Sequence, residues 1–271
     1  MSEKFLHRGD APFSEKVWER IDEAVTIAAK GQLSGRRLLH VEGPYGLGLK
    51  SVPTPDKVVK GGTEESAKVL AGSITPVAAI QSGFCLSARD IAAFEEAGLP
   101  LDLRAAAAAA IACAKEEDTL IFNGSKPLGV EGILTAKGTQ SLKLKPWDEV
   151  GAAAGDVIQA VTLLDNAGFH GPYTLGLAPS LYNLLFRRYP QGDKTEIEHL
   201  GVLVTDGIVK ASAATSGGVL LASGTQFASL VLGQDLLTAF VGPSERDYEF
   251  VVSESIALRL MEPAAVCVLK Q

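Results

Sequence analysis

Basic residues fall short of acidic ones in this sequence: 25 Lys and Arg stand against 32 Asp and Glu, a formal net charge of −7. That balance argues against nucleic acid as the main partner, because gripping phosphates takes clustered cations. Cysteine is scarce as well. Cys85, Cys113 and Cys267 lie far apart in apolar runs, form no C-x-x-C pair, and are expected to be buried, reduced thiols. The four histidines, His7, His40, His170 and His199, show no metal-binding spacing, so no metal site is expected. There is no G-x-S-x-G elbow for a serine hydrolase. No apolar leader opens the chain and no stretch reads as a membrane span. These absences point to a soluble, cytoplasmic protein with no membrane contact. Repeats and low-complexity linkers are missing too. With apolar residues at 46% and charged residues at 21%, the 271-residue chain must bury a sizeable core, in one large domain or two small ones.

What the sequence does contain reads as α+β, with helices and strands segregated rather than alternating. Residues 14–30 carry Val17, Ile21, Ala24, Val25 and Ala28 on one stripe, with Ser14 placed to cap the helix. Residues 87–97 form a second helix between the cap Ser87 and Gly98, and the alanine-rich 102–117 a third. A fourth is expected over 147–167, and a short one led by Pro179 that stops before Pro190. From residue 201 the chain turns β: "GVLVT", "GIVKAS", "GVLLAS", "FASLVLG" and a final "AVCVLK". The longest strand is "YEFVVSESIALRL", where Tyr248, Phe250, Val252, Ile256, Leu258 and Leu260 share a face broken only by Glu254.

"GPYGLGLKS" at 43–51 approaches the phosphate-binding pattern G-x-x-x-x-G-K-[ST], with Leu49 inserted before Lys50. A working loop of that kind follows a strand and opens a helix. "GRRLLHVE" ahead of it is a plausible strand, but Pro53 and Pro55 forbid a helix behind it. A nucleotide-hydrolysing role for this loop is therefore disfavoured, and residues 40–63 read as a turn leading into extended chain that needs a partner to pack on. Acid pairs such as Glu64-Glu65 read as solvated faces, and no catalytic set emerges.

Five short motifs remain: "VEGPYG" at 41–46, "FNG" at 122–124 with "GVEGIL" at 129–134, "GPYTL" at 171–175 and "LGQDL" at 232–236. Any one is weak. In this order, between an N-terminal amphipathic helix and a long final strand, they resemble the encapsulins of the linocin type, shell-forming proteins of bacterial and archaeal nanocompartments. The resemblance spans about Phe5 to Lys270. It implies an HK97-like phage capsid fold with a peripheral domain, an axial domain and an extended loop. On this chain that implies an N-terminal helix and the start of the peripheral domain at 1–49. The extended loop follows at 50–82 and the peripheral helices at 83–130. An axial domain at 131–222, peripheral strands at 223–262 and a closing axial strand at 263–271 complete the chain.

The resemblance further implies an icosahedral homo-oligomer that is not an enzyme. It loads a cargo protein, ferritin-like or a dye-decolourising peroxidase, through a C-terminal targeting peptide. It places that peptide against Ile21, Val25, Ala28, Arg36, His40 and Leu237, with His40 standing where an acidic residue is usual. A pore at the fivefold axis falls on Arg187, Arg188, Tyr189, Pro190, Gln191, Gly192, Asp193 and Lys194. Arg89 stands about where some relatives carry a flavin-supporting Trp, so neither flavin nor another cofactor is expected. The alternative within the same fold is a phage or prophage major capsid protein. The short segment before the first helix, with no room for a scaffolding domain, argues against it.

Overall fold

The computed structural model describes residues 3–60, 67–190 and 192–271. The acid pair Glu64-Glu65 and the pore residue Gln191 lie outside the described residues. The helices are α1 (Glu15–Lys30), α2 (Gly35–Leu38), α3 (Ala88–Ala97), α4 (Arg104–Asn123), α5 (Ala152–Asn166), α6 (Pro179–Leu184) and α7 (Glu196–Leu200). The strands are β1 (His40–Glu42), β2 (Ser51–Lys60), β3 (Val69–Pro76), β4 (Ala78–Ser87), β5 (Gly124–Ser125), β6 (Val130–Glu131) and β7 (Gln140–Lys143). They continue as β8 (Tyr173–Leu177), β9 (Ile208–Lys210), β10 (Gly218–Ala222), β11 (Ala228–Leu232), β12 (Leu237–Ser244), β13 (Asp247–Leu260) and β14 (Val266–Lys270). Among the described residues no helix is long and apolar enough to cross a membrane.

Strand β13 organises the first sheet. Its whole first stretch, Asp247 to Ile256, pairs antiparallel with β4 on one edge. Its other edge is shared in line by β12, opposite Asp247–Ser253, and β11, opposite Ile256–Leu260. β1 adds to β11 in parallel. Helix α4 lies across β4 and β13, and α1 packs on α4. The alanine run explains this closeness. Ala106, Ala109, Ala110, Cys113 and Ala114 are all buried and present almost no bulk toward the sheet. Aromatic rings share that core: Phe84 stacks on Phe250 at 5.0 Å, and Trp18 of α1 meets Phe250 edge-on at 5.7 Å.

The second sheet has the order β7-β14-β10-β8-β9, with α5 packed over it. Its own core includes Leu164, Leu175, Leu177, Leu220 and Cys267, each fully buried. The third feature is a two-stranded antiparallel ribbon of β2 and β3 that joins neither sheet.

Several expectations are corrected. The segment before Gly43 is not one strand: Gly35–Leu38 is a helical turn, and only His40–Glu42 pairs. The third helix runs on to Asn123, because Glu117 and Asp118 are buried rather than a polar end. The helix expected from 147 starts at Ala152. Trp147 is instead buried in the preceding loop, with its indole N–H donating to Asp156 at 2.9 Å. The Pro179-led helix stops at Leu184. "GVLVT" forms a turn instead of a strand, closed by Val202 N–H to His199 and Leu203 N–H to Leu200. Ser14 sits at the α1 N-cap but makes no side-chain cap; its own N–H donates to Glu95. Cys85 is exposed, because β4 alternates and directs Ile80, Phe84 and Leu86 inward. Cys113 and Cys267 are buried, which pushes their thiols up to about 12 and about 11 and leaves them inert.

Candidate functional site

The residue most committed by its surroundings is Arg36 on α2. Its Nε donates to both Glu117 oxygens, at 2.9 and 3.0 Å. Its Nη2 donates to Glu117 and to Glu254, both at 2.7 Å, and its Nη1 to Asp235 at 2.6 Å. The Glu117 and Glu254 side chains have no exposed surface. The next residue on α4, Asp118, accepts from the Ser34 and Gly35 amides and from the Ser34 hydroxyl, which pins the turn between α1 and α2.

Burial alone lowers the Arg36 pKa, but the hydrogen bonds and charges of Glu117 and Asp235 carry it above its ordinary value. Burial, and then the neighbouring Glu117 charge, push the Glu254 carboxyl up as well, to about 9. Its Oε1 is buried with no hydrogen-bond partner among the described residues. The break that Glu254 makes in the apolar face of β13 is thus the mark of this cluster, and Glu117, Asp235 and Glu254 were not anticipated as a site.

The structure separates the six residues expected to meet a cargo peptide. Ile21 and Val25 point into the core, and Arg36 is turned inward as described. Ala28 is half-buried beside Ile27, which is 66% exposed. Leu237 is half-buried at the start of β12. His40 is exposed at the mouth of a cavity of about 400 Å³ shared with Arg37, Pro172 and Asp206. His40 pairs with Ser229, whose partner on β13 is Arg259, while Leu237 pairs with Ser253. Six residues of strand separate them, about 20 Å at ~3.3 Å per residue, so His40 and Leu237 belong to different patches.

In the loop 187–194, Arg187 is a brace. It donates to Glu196 at 3.0 and 3.2 Å and to the carbonyls of Trp147, Asp148 and Glu149. Glu196 is fully buried there. Arg188 bridges to Thr195, and Tyr189 stacks on His199 at 4.5 Å. Thr195 and Glu198 form a reciprocal cap on α7. Arg188, Pro190, Gly192, Asp193 and Lys194 are exposed.

The glycine-rich corner at 43–51 has no phosphate cradle. The amides of Tyr45 and Gly46 are spent on the carbonyls of Leu232 and Gly233, and a strand, β2, follows instead of a helix. Gly43 and Gly46 have φ of 105° and 110°, which a side chain resists. The FNG and GVEGIL motifs have an equally structural meaning. A Cβ on Gly132 would strike the backbone of Phe122 and Gly124. Both GPY triplets carry a cis Gly–Pro bond. Beyond the corner stands the β2–β3 ribbon, whose Val59, Leu70 and Ile74 are more than half exposed.

A long strand shared by two in-line partners, a helix laid across it, a separate second sheet and a projecting ribbon make up the HK97-like phage capsid fold. The capsid of Myoviridae phage XM1 matches at a TM-score of 0.61 over 87% of this chain and 89% of that one, at 14% identity. A virus-like particle from Pyrococcus furiosus matches at a TM-score of 0.75 over 94% and 99%, at 24% identity. The fold is therefore that of capsid-type proteins. The family model described as "Encapsulating protein for peroxidase" matches residues 3–257. The type 1 encapsulin shell protein EncA of Myxococcus xanthus is 35% identical over 98% of this chain and 96% of its own length. The diheme-cytochrome-encapsulin shell fusion protein of Kuenenia stuttgartiensis is 31% identical over 95% and 73%. This chain belongs to the encapsulin family of shell proteins.

Proposed function

We propose that the chain assembles into a closed icosahedral compartment of about 60 copies or a multiple, and that the shell holds a cargo enzyme. The observation that carries this is the β2–β3 ribbon. A two-stranded ribbon with apolar residues open to water is marginal on its own. Val59, Leu70 and Ile74 need a covering surface, and a neighbouring copy supplies it. Residues 50–77 are accordingly assigned as the intersubunit arm, because 78–82 of the expected 50–82 loop pair with β13 in the first sheet; 131–222 with 263–271 are assigned as the axial domain, and the rest as the peripheral domain.

The cargo is a ferritin-like iron-storage protein or a dye-decolourising peroxidase bearing a C-terminal targeting peptide. The family description names a peroxidase, and one relative is a ferritin-like-encapsulin shell fusion protein of Pyrococcus furiosus, 29% identical over 59% of this chain. The peptide docks on the open face of α1 at Ile27 and Ala28 and on Leu237, which Ile21 and Val25 support from beneath; His40 forms a separate contact. Arg188, Pro190, Gly192, Asp193 and Lys194 line a pore. The compartment is cytoplasmic, and the shell acts as a container without catalysis of its own. Size-exclusion chromatography with light scattering tests the assembly: particles of megadalton size are expected, and a species that stays at the 28.4 kDa chain mass under mild conditions overturns the reading.

A further inference from the structure

The "GVLVT" turn carries an anomaly. Val202 is 75% exposed and Leu203 38%, although these are residues that favour buried strands. The turn is rigid, held by four successive amides, 201 to 204, that donate back into α7. Glu198 and Asp206 flank it, both exposed. Elsewhere on the same domain an open groove of about 760 Å³ has apolar walls formed by Leu144, Trp147, Leu181 and Leu184, with Lys143 and Lys145 on its rim. Asp148 lies on that rim as well. The groove is pre-formed: Arg187 ties α6 to the carbonyls of 147–149, and the Trp147 indole is anchored on Asp156.

The two features sit at opposite ends of the second sheet. β7, β14 and β8 all run in one direction, and the groove lies where β7 and β14 end. The turn precedes β9, which is parallel to β8, so it lies at the start of β8, where Asp206 N–H meets the Tyr173 carbonyl. A knob and a socket at different places on one molecule form a head-to-tail contact, which closes into a ring or grows without limit.

We infer that Val202 and Leu203 of each subunit insert into the Leu144–Leu181–Leu184 groove of the next, with Glu198 and Asp206 facing Lys143 and Lys145. This contact closes the ring of axial domains around a symmetry axis. The occupant is a second copy of this chain, because the turn supplies both the apolar volume and the opposite charge that the groove calls for. The inference deepens the shell reading and rests on it.

The test uses the full chain with the exposed thiol removed, Cys85→Ala, since Cys113 and Cys267 are buried. Val202→Cys and Lys145→Cys, both at exposed positions, are combined and treated with a short bis-maleimide. Denaturing gels should show a ladder that ends at the ring number, because a head-to-tail contact links each subunit to two others. Assembled particles that give no ladder, or dimers only, overturn the inference while leaving the shell reading intact. A parent chain that never assembles overturns the shell reading itself. Independently, Val202→Glu should cut the assembled fraction about tenfold at fixed concentration while its circular dichroism stays unchanged; full assembly of that variant also overturns the inference.

Discussion

Replacing Glu254 with Gln makes the buried proton measurable. Glu254 has a folded pKa of about 9 against an ordinary value of 4.5. A raised folded pKa means that the native state binds the proton more tightly than the unfolded chain does. The stabilisation is therefore complete below the unfolded pKa and is lost as pH climbs between the two values. The slope in that window is about 1.4 kcal/mol per pH unit. Between pH 5 and pH 8 the wild-type chain should lose on the order of 4 kcal/mol through this group.

Glutamine keeps an acceptor for Arg36 and cannot ionise, so Glu254→Gln should be close to neutral at pH 5 and clearly more stable than wild type at pH 8. The groups facing position 254 are Glu117, Arg36 and Asp235, with the Cys113 thiol nearby. All remain in the variant, so the difference between the two curves isolates the one proton. The assay is urea unfolding of both chains across pH 5–8, followed by far-ultraviolet circular dichroism under conditions where refolding is complete. Parallel curves would refute the reasoning, since they would mean that Glu254 is ionised at neutral pH.

Glu117→Gln is the opposite case. It removes the carboxylate that takes two nitrogens of Arg36 and should cost about 3–5 kcal/mol in the same unfolding assay. Arg187→Ala strands the buried Glu196 and releases the carbonyls of 147–149. A loss of similar size, about 3–5 kcal/mol, is expected by urea titration. In the arm, Ile74→Asp should abolish particles in light scattering while leaving the circular dichroism of the chain intact, because Ile74 is 65% exposed and supports no core. On α1, Ile27→Asp should weaken binding of a cargo C-terminal peptide by about tenfold in calorimetry without changing particle size.

Local periodicity made most of this fold legible. The stripe on α1, the Ser87–Gly98 bracket around α3 and the Val- and Leu-rich runs of β10, β11 and β14 all follow from rules that act over a few residues. The failures share a cause. "EED" at 116–118 looks like a solvated helix end until Arg36 and Ser34, about eighty residues away in sequence, arrive to pair with it. Arg36, which the resemblance placed against a cargo peptide, is turned inward by the same distant carboxylates. "GVLVT" has the composition of a strand and becomes a turn because the amides of 201–204 close back on α7. Trp147 leaves the expected helix to bury its ring against Asp156. On α1 the apolar stripe makes the core, and Ile27 on the open side carried no periodic signal.

One residue, Val77, separates β3 from β4. The arm is therefore a cantilever clamped in the same sheet that β13 organises. Val77 N–H holds the Lys50 carbonyl, so both legs of the ribbon turn together at this point. The eight residues of β3 reach about 27 Å beyond the clamp at ~3.4 Å per residue. A tilt of about 5° at Val77 then moves the far end by roughly 2 Å, about half the spacing between paired strands. A small bend at this single residue is therefore amplified along the ribbon, and the position of its exposed apolar tip depends on one backbone joint more than on any side-chain contact.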